Sequence, residues 1–234
     1  VALGAGKGVD PVEALTVALP KGRLLEQVLS LFAAIGHDVA EKDALSRKLV
    51  LPDVTGTLRY VLTKPSDVPV YVEYGAADLG VAGLDVLREH ERGLYEPLAL
   101  GLGRCRLVLA GPASMGAHAA DARTLRTASG LRVASRYPGL AQRYFQRQGV
   151  SAEIIPLDGS IELAPAVGLA DLLVDLVETG RTLRENDLAE IDTILDVQAM
   201  LVVNRASYAL HLAPIQQLIS RLADEIANRT AHRG

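Results

Sequence analysis

The sequence of 234 residues has one cysteine, Cys105, no tryptophan and only 4% aromatic residues. A lone cysteine excludes an internal disulfide framework and suits a reducing compartment; its place in an apolar run predicts a buried thiol. So few aromatic rings leave no stacking platform for single-stranded nucleic acid. No uncharged run reaches the roughly 18 residues of a membrane helix. The longest, residues 206–220, contains His211, Pro214 and glutamines. The net charge of -4, with a pI near 5.8, gives no general attraction for polyanions, so any anion site must be built locally. Residues 1–13 read as a flexible glycine-containing tail without the apolar stretch of an export signal, and Gly4-Ala-Gly-Lys-Gly8 lacks the spacing of a phosphate loop. The histidines (His37, His90, His118, His211, His232) show no metal-ligand spacing, and there is no nucleophile elbow. These absences predict a cytoplasmic protein with no nucleic-acid partner and no membrane.

What is present is a chain 49% hydrophobic and 22% charged, enough apolar material for a large core or two lobes. Residues 15–19 form a β-branched run closed by Pro20, followed by Leu24, Val28, Leu31 and Ile35 at helical period up to Gly36. Residues 58–63 read as a strand, Ser66 and Pro69 as the start of a short helix ending at Gly75, 79–82 as a strand and 84–90 as a helix. Residues 96–110 look strand-like but are interrupted by Gly101 and Gly103. Strands at 131–135, 153–157 and 170–177 then alternate with helices at 139–148 and 161–169, before a β-rich stretch at 191–204 and a last helix at 214–228. This alternation predicts an α/β fold of two lobes with mainly parallel sheets around a cleft.

The most informative segment is Asp175-Leu-Val-Glu178-Thr179-Gly180-Arg181-Thr182. An apolar strand runs into a glycine turn with two hydroxyls, then a helical pattern from Leu183. Outward amides, hydroxyls and a helix start suit a phosphate monoester; a simple capped turn fits the same residues. Asp175 and Glu178, three apart at a strand end, belong on opposite faces, with Asp175 structural. Lys21-Gly22-Arg23 places two cations at a strand-to-helix junction, where they oppose the helix dipole unless an anion binds. Arg47-Lys48 is a second basic pair, equally readable as a solvated loop.

Taken in order, Ala18-Leu-Pro-Lys-Gly-Arg-Leu24, Tyr71-Val-Glu-Tyr-Gly-Ala-Ala-Asp-Leu-Gly80, Asp158 through Asp171, Val177 through Leu183 and Asn204-Arg-Ala-Ser207 resemble the ATP phosphoribosyltransferase family. The resemblance spans residues 15–207, with Leu173 where Ile or Val is expected. It implies a fold like the type II periplasmic binding proteins. The first lobe would hold residues 1–103 plus about 190–234, and the second, residues 104–189, the loop for phosphoribosyl pyrophosphate. The implied reaction joins ATP to 5-phosphoribosyl-1-pyrophosphate in the first step of histidine biosynthesis. Arg23 and Arg47 would be catalytic, with Lys21, Gly22 and Lys48 beside the pyrophosphate and triphosphate. Glu178, Thr179, Gly180, Arg181, Thr182 and Leu183 would hold the ribose-phosphate end. Mg²⁺ would travel on the substrate phosphates and take no protein ligands. Only residues 208–234 follow the last motif, which implies the short form without a regulatory domain. Its expected partners are a regulatory subunit resembling histidyl-tRNA synthetase, in a hetero-octamer, and a second copy of itself as a dimer. The competing reading is a binding module that closes on an anion without chemistry; the absence of an export signal and the two separate anion-suited loops argue against it.

Overall fold

The computed structural model describes residues 14–41, 48–115 and 130–232. Packing divides the chain into two units, Val1–Val81 with Val202–Gly234, and Ala82–Leu201. These breaks fall at 81/82 and 201/202, whereas the lobe boundaries that the resemblance implies lie at 103/104 and about 190.

The first sheet contains β1 (Leu15–Pro20), β2 (Val50–Pro52), β3 (Leu58–Thr63), β4 (Leu79–Gly83), β5 (Tyr95–Ala99) and β11 (Ala199–Val203), in the order β2-β3-β1-β4-β11-β5. β1 is buried along its whole length and runs parallel to β3 and β4 on either side, so its sequence is apolar at every position but Thr16 rather than alternating. β2 returns antiparallel to β3. Helix α1 (Arg23–Ala34) buries Val28, Leu31 and Phe32, and the Phe32 ring meets Tyr60 of β3 edge-on at 5.8 Å. It ends in paired closing bonds, Gly36 N–H to Ala33 O and His37 N–H to Phe32 O, both 2.9 Å.

Helix α2 (Val68–Glu73) lies close on the sheet because Gly80 of β4 carries no side chain; a Cβ there would stand 2.7 Å from Val72 and 2.8 Å from Val68. The cap residue of α2 is Asp67, one position later than the Ser66 expected; Ser66 instead donates to the Asp67 carboxylate at 3.0 Å. Two short elements escape periodicity altogether, β2 with three residues and α7 (Arg205–Leu210) with six. The last helix, α8 (Leu212–Ala231), is longer than expected and buries Ile215, Leu218 and Leu222; Pro214 lies in its first turn, where no helical N–H is lost.

The second unit contains α3 (Leu84–His90), β6 (Cys105–Pro112), β7 (Leu131–Ser135), α4 (Pro138–Gln148), β8 (Ala152–Pro156), α5 (Leu163–Ala166), β9 (Leu172–Val177), α6 (Arg181–Glu185) and β10 (Leu188–Val197). Its sheet order is β10-β6-β9-β7-β8. β7 is parallel to β8 and β9, as the β-α-β alternation requires. β6 is antiparallel to both β9 and β10, so this sheet is mixed rather than mainly parallel. Alternate residues fill two cores: Leu107, Leu109, Val133, Leu172 and Val174 face Tyr137 and Phe145, whereas Val108, Ala110, Ala134 and Leu173 face Ile161 and Leu183. Cys105 opens β6 half-buried, not buried. The expected helix at 161–169 shrinks to the four residues of α5. The N-terminus of α4 is closed by a carboxylate from α3: Glu89 accepts the Gly139 N–H at 2.7 Å and the Leu140 N–H at 2.9 Å. Beside it, the buried Asp85 accepts the Tyr137 hydroxyl at 2.7 Å.

Candidate functional site

In the second unit, β7, β8 and β9 are parallel neighbours, so their carboxyl ends and the loops that leave them share one edge of the sheet. β9 stops at Val177. Glu178, Thr179, Arg181 and Thr182 are then exposed, while Gly180 and Leu183 are buried. Gly180 has φ 70 and caps α6, a left-handed conformation that favours glycine. The turn is braced by its own side chains. Arg181 N–H donates weakly to Thr179 Oγ1 at 3.4 Å, Arg184 Nη1 to Thr179 O at 3.2 Å, and Asn186 Nδ2 to Thr182 O at 2.9 Å. Arg181 Nε pairs with Glu185 at 2.7 Å, one turn along α6. Leu183 packs into the core with Val108 and Val177, which makes it the anchor of α6 and leaves the presenting surface to 178–182.

The same edge contains three residues that sequence reading left out of the site or called structural. Asp175, near the end of β9, is held above the usual carboxylate range. Burial is the main cause; the Leu176 N–H at 2.8 Å works the other way, Glu162 adds to the rise and Arg136 opposes it. Arg136 directly follows β7 and Glu162 lies in the loop after β8. The pairing of Ser135 with Val174 brings Arg136 level with Asp175. That adjacency is a property of strand pairing, and the only sequence signal for it is that Asp175 lies near the end of a parallel-type strand while Arg136 and Glu162 follow two others.

In the first unit, Lys21-Gly22-Arg23 sits at the carboxyl end of β1, as expected, and all three residues are exposed. Gly22 has φ 102 and ψ -156 at the N-cap of α1, with no side-chain cap. An added Cβ at Gly22 would meet nothing within 4 Å, so the backbone stands open there. Lys48 is exposed and pairs with Glu41 at 2.5 Å. Arg47 lies outside the described residues, as do residues 1–13 with the glycine-lysine fragment.

The motifs around Asp78 and Asn204 meet in this unit as a structural lock. Asp78 accepts the Thr16 N–H at 2.8 Å and the Ser207 hydroxyl at 2.7 Å; Asn204 caps α7 through the Ser207 N–H and donates to Val72 O at 2.8 Å. Among the described residues there is no group of three His, Cys, Asp or Glu able to hold a metal ion, and no helix is long and apolar enough to cross a membrane.

The fold is shared with periplasmic binding proteins. The aliphatic sulphonate binding protein SsuA of Escherichia coli superposes with a TM-score of 0.59 at 14% identity, over 94% of this chain and 75% of that one. A solved ATP phosphoribosyl transferase (HisG:HisZ) complex from Thermotoga maritima matches with a TM-score of 0.78 and 35% identity, over 92% of this chain and 98% of that one. The class defined by the fold is thus a two-unit α/β protein, with an exposed glycine turn after β9.

The family model described as ATP phosphoribosyltransferase matches residues 64–224. The ATP phosphoribosyltransferase of Sorangium cellulosum is 50% identical over 208 residues, 89% of this chain and 94% of that protein. That of Methylococcus capsulatus is 49% identical over 218 residues, 93% of this chain and 98% of that protein. The chain belongs to the ATP phosphoribosyltransferase family. It is an enzyme, a transferase of the first step of histidine biosynthesis.

Proposed function

We propose that the chain transfers the phosphoribosyl group of 5-phosphoribosyl-1-pyrophosphate to N1 of ATP, giving N1-(5-phosphoribosyl)-ATP and pyrophosphate. Family membership across most of the chain carries this reading, and the exposed, glycine-centred turn after β9 supports it. The lone pair of adenine N1 forms the new bond to the anomeric carbon. The bond from that carbon to pyrophosphate oxygen breaks, and its electron pair leaves with the pyrophosphate. N1 attacks through its own lone pair, so no strong general base is required. Positive charge develops on the sugar and negative charge on the leaving group. Cations beside the leaving group therefore gain more in the transition state than in the ground state.

Arg23 and Arg47 take this catalytic part, with Lys21, Gly22 and Lys48 binding the polyphosphates. Glu178, Thr179, Gly180, Arg181 and Thr182 hold the ribose-phosphate, and Leu183 fixes α6 beneath them. Mg²⁺ enters on the substrate phosphates and screens their charge. The relative from Thermotoga maritima was solved as a HisG:HisZ complex. By analogy the chain acts as the short form in the cytoplasm, dimerising and joining a histidyl-tRNA-synthetase-like regulatory subunit in a hetero-octamer. The test is Arg47→Ala, assayed with both substrates, Mg²⁺ and the regulatory subunit. With chemistry rate-limiting and the fold intact by circular dichroism, kcat falls by about 10²–10³; an unchanged kcat removes Arg47 from catalysis.

A further inference from the structure

Residues 38–40 and 52–54 run antiparallel in the first unit. Val39 bridges Asp53, Ala40 N–H donates to Pro52 O at 3.0 Å, and Val54 N–H donates to Asp38 O at 2.8 Å. The chain leaves through one limb of this base and returns through the other. Lys48 stands on the returning limb, just before β2, with Glu41 of the outgoing limb against its ammonium.

Below the base lies a polar cluster that the proposed reaction does not use. His37 Nδ1 and Asp53 Oδ2 are 2.8 Å apart, with the Asp53 side chain fully covered and that of His37 12% exposed. Asp53 also accepts the Thr55 hydroxyl at 2.5 Å and the Leu58 N–H at 3.1 Å. The Tyr60 hydroxyl of β3 donates to His37 O at 2.5 Å. From α8, the Arg221 guanidinium donates to Ile35 O and stands 3.4 Å from His37 Nε2. A carboxylate only accepts, so the His37 Nδ1–H donates to Asp53 Oδ2. One residue pair thus ties together the end of α1, the last helix and both limbs of the segment bearing Lys48.

We propose that His37 and Asp53 are positioning residues for Lys48. They touch no substrate. They fix the backbone from which an exposed, flexible lysine reaches the polyanion, and so limit the ordering that binding demands. This rests on the reading of Lys48 as a phosphate contact, and the kinetics separate the two.

The assay uses the full chain with its regulatory subunit and Mg²⁺, varying ATP and 5-phosphoribosyl-1-pyrophosphate in turn. Lys48→Ala raises KM for one polyanion about tenfold or more, with kcat within about threefold. His37→Ala and Asp53→Asn raise the same KM about five- to tenfold. His37→Asn, whose side-chain amide puts an N–H at the Nδ1 position, restores it to within about twofold. Adding His37→Ala to Lys48→Ala produces no further rise, because the pair acts through the lysine.

Unchanged KM values in Lys48→Ala overturn the reading of Lys48 and the positioning role with it. A raised KM in Lys48→Ala beside an unchanged one in His37→Ala overturns the positioning role alone. So does a His37→Ala effect that adds in full to that of Lys48→Ala. Should Asp53→Asn fail to fold, the His37 series decides.

Discussion

Asp53, buried in the first unit, and Asp175, half-buried in the second, both lose solvation, yet they are treated in opposite ways. Burial pushes Asp53 upward, but the Thr55 hydroxyl, His37 and the Leu58 N–H outweigh it and hold the carboxyl below its ordinary 3.8. At Asp175 burial wins: the Leu176 N–H and Arg136 oppose it while Glu162 adds to the rise from 3.8. The first carboxylate is completed by the fold and stabilises it. The second is left short of donors at the sheet edge beside the Glu178–Thr182 turn, and its charge is a liability to the fold. A carboxylate supplied with donors by its own chain stabilises the fold, whereas one short of them weakens it once ionised.

The comparison breaks most readily at Asp53. Asp53→Ala takes their shared acceptor from the His37 ring, the Thr55 hydroxyl and the Leu58 N–H, and a loss of about 2–4 kcal/mol is expected in urea melts. A loss no greater than that of an exposed substitution would show the cluster to be inert.

Next in size is Gly180→Ala. A Cβ in the left-handed region costs about 1–2 kcal/mol, and it would also meet Arg184 Nη1 at 3.1 Å and Glu190 Oε1 at 3.2 Å. The variant should lose that stability and bind 5-phosphoribosyl-1-pyrophosphate more weakly by calorimetry. Wild-type values for both would detach the turn from the site.

The smallest effect carries the opposite sign. Asp175→Asn removes a charge that burial disfavours while keeping an acceptor for the Leu176 N–H. Because the folded pKa of Asp175 is raised, its ionisation begins to weaken the fold as pH climbs past 3.8. The Asn variant should therefore melt higher than wild type at neutral pH, with the gain vanishing below that point. The stabilisation from Asp53 follows the reverse course, present above 3.8 and lost as pH falls through its lowered value. Thermal melts across acid and neutral pH that show both variants shifting in one direction would dissolve the distinction.

Much of the fold was legible from periodicity. The runs at 58–63, 84–90 and 131–135 coincide with β3, α3 and β7 because one face or both must be apolar. Strand direction was not legible. Nothing local in residues 105–112 says that β6 opposes β9, and that pairing made the second sheet mixed. Glycine signals were read correctly in kind: Gly101 and Gly103, at φ 66 and 59, split the 96–110 run into β5 and β6. The 161–169 helix failed because Pro165 and Gly168 interrupt a pattern that composition alone makes look continuous.

At the site, the Thr179–Thr182 turn was visible because its chemistry is contiguous in sequence. Arg136, Glu162 and Asp175 were not grouped, since pairing across strands is what makes them neighbours. His37 and Asp53 were likewise missed: neither residue alone signals a partner sixteen positions away.

The Glu89 carboxylate closing α4 has a consequence for where anions settle. An eleven-residue helix would otherwise offer phosphate a competing berth at its amino end. With an intramolecular negative charge already seated on the Gly139 and Leu140 amides, a stray polyphosphate is repelled from that end of the unit. Selectivity of place, as much as affinity, is thereby written into the scaffold.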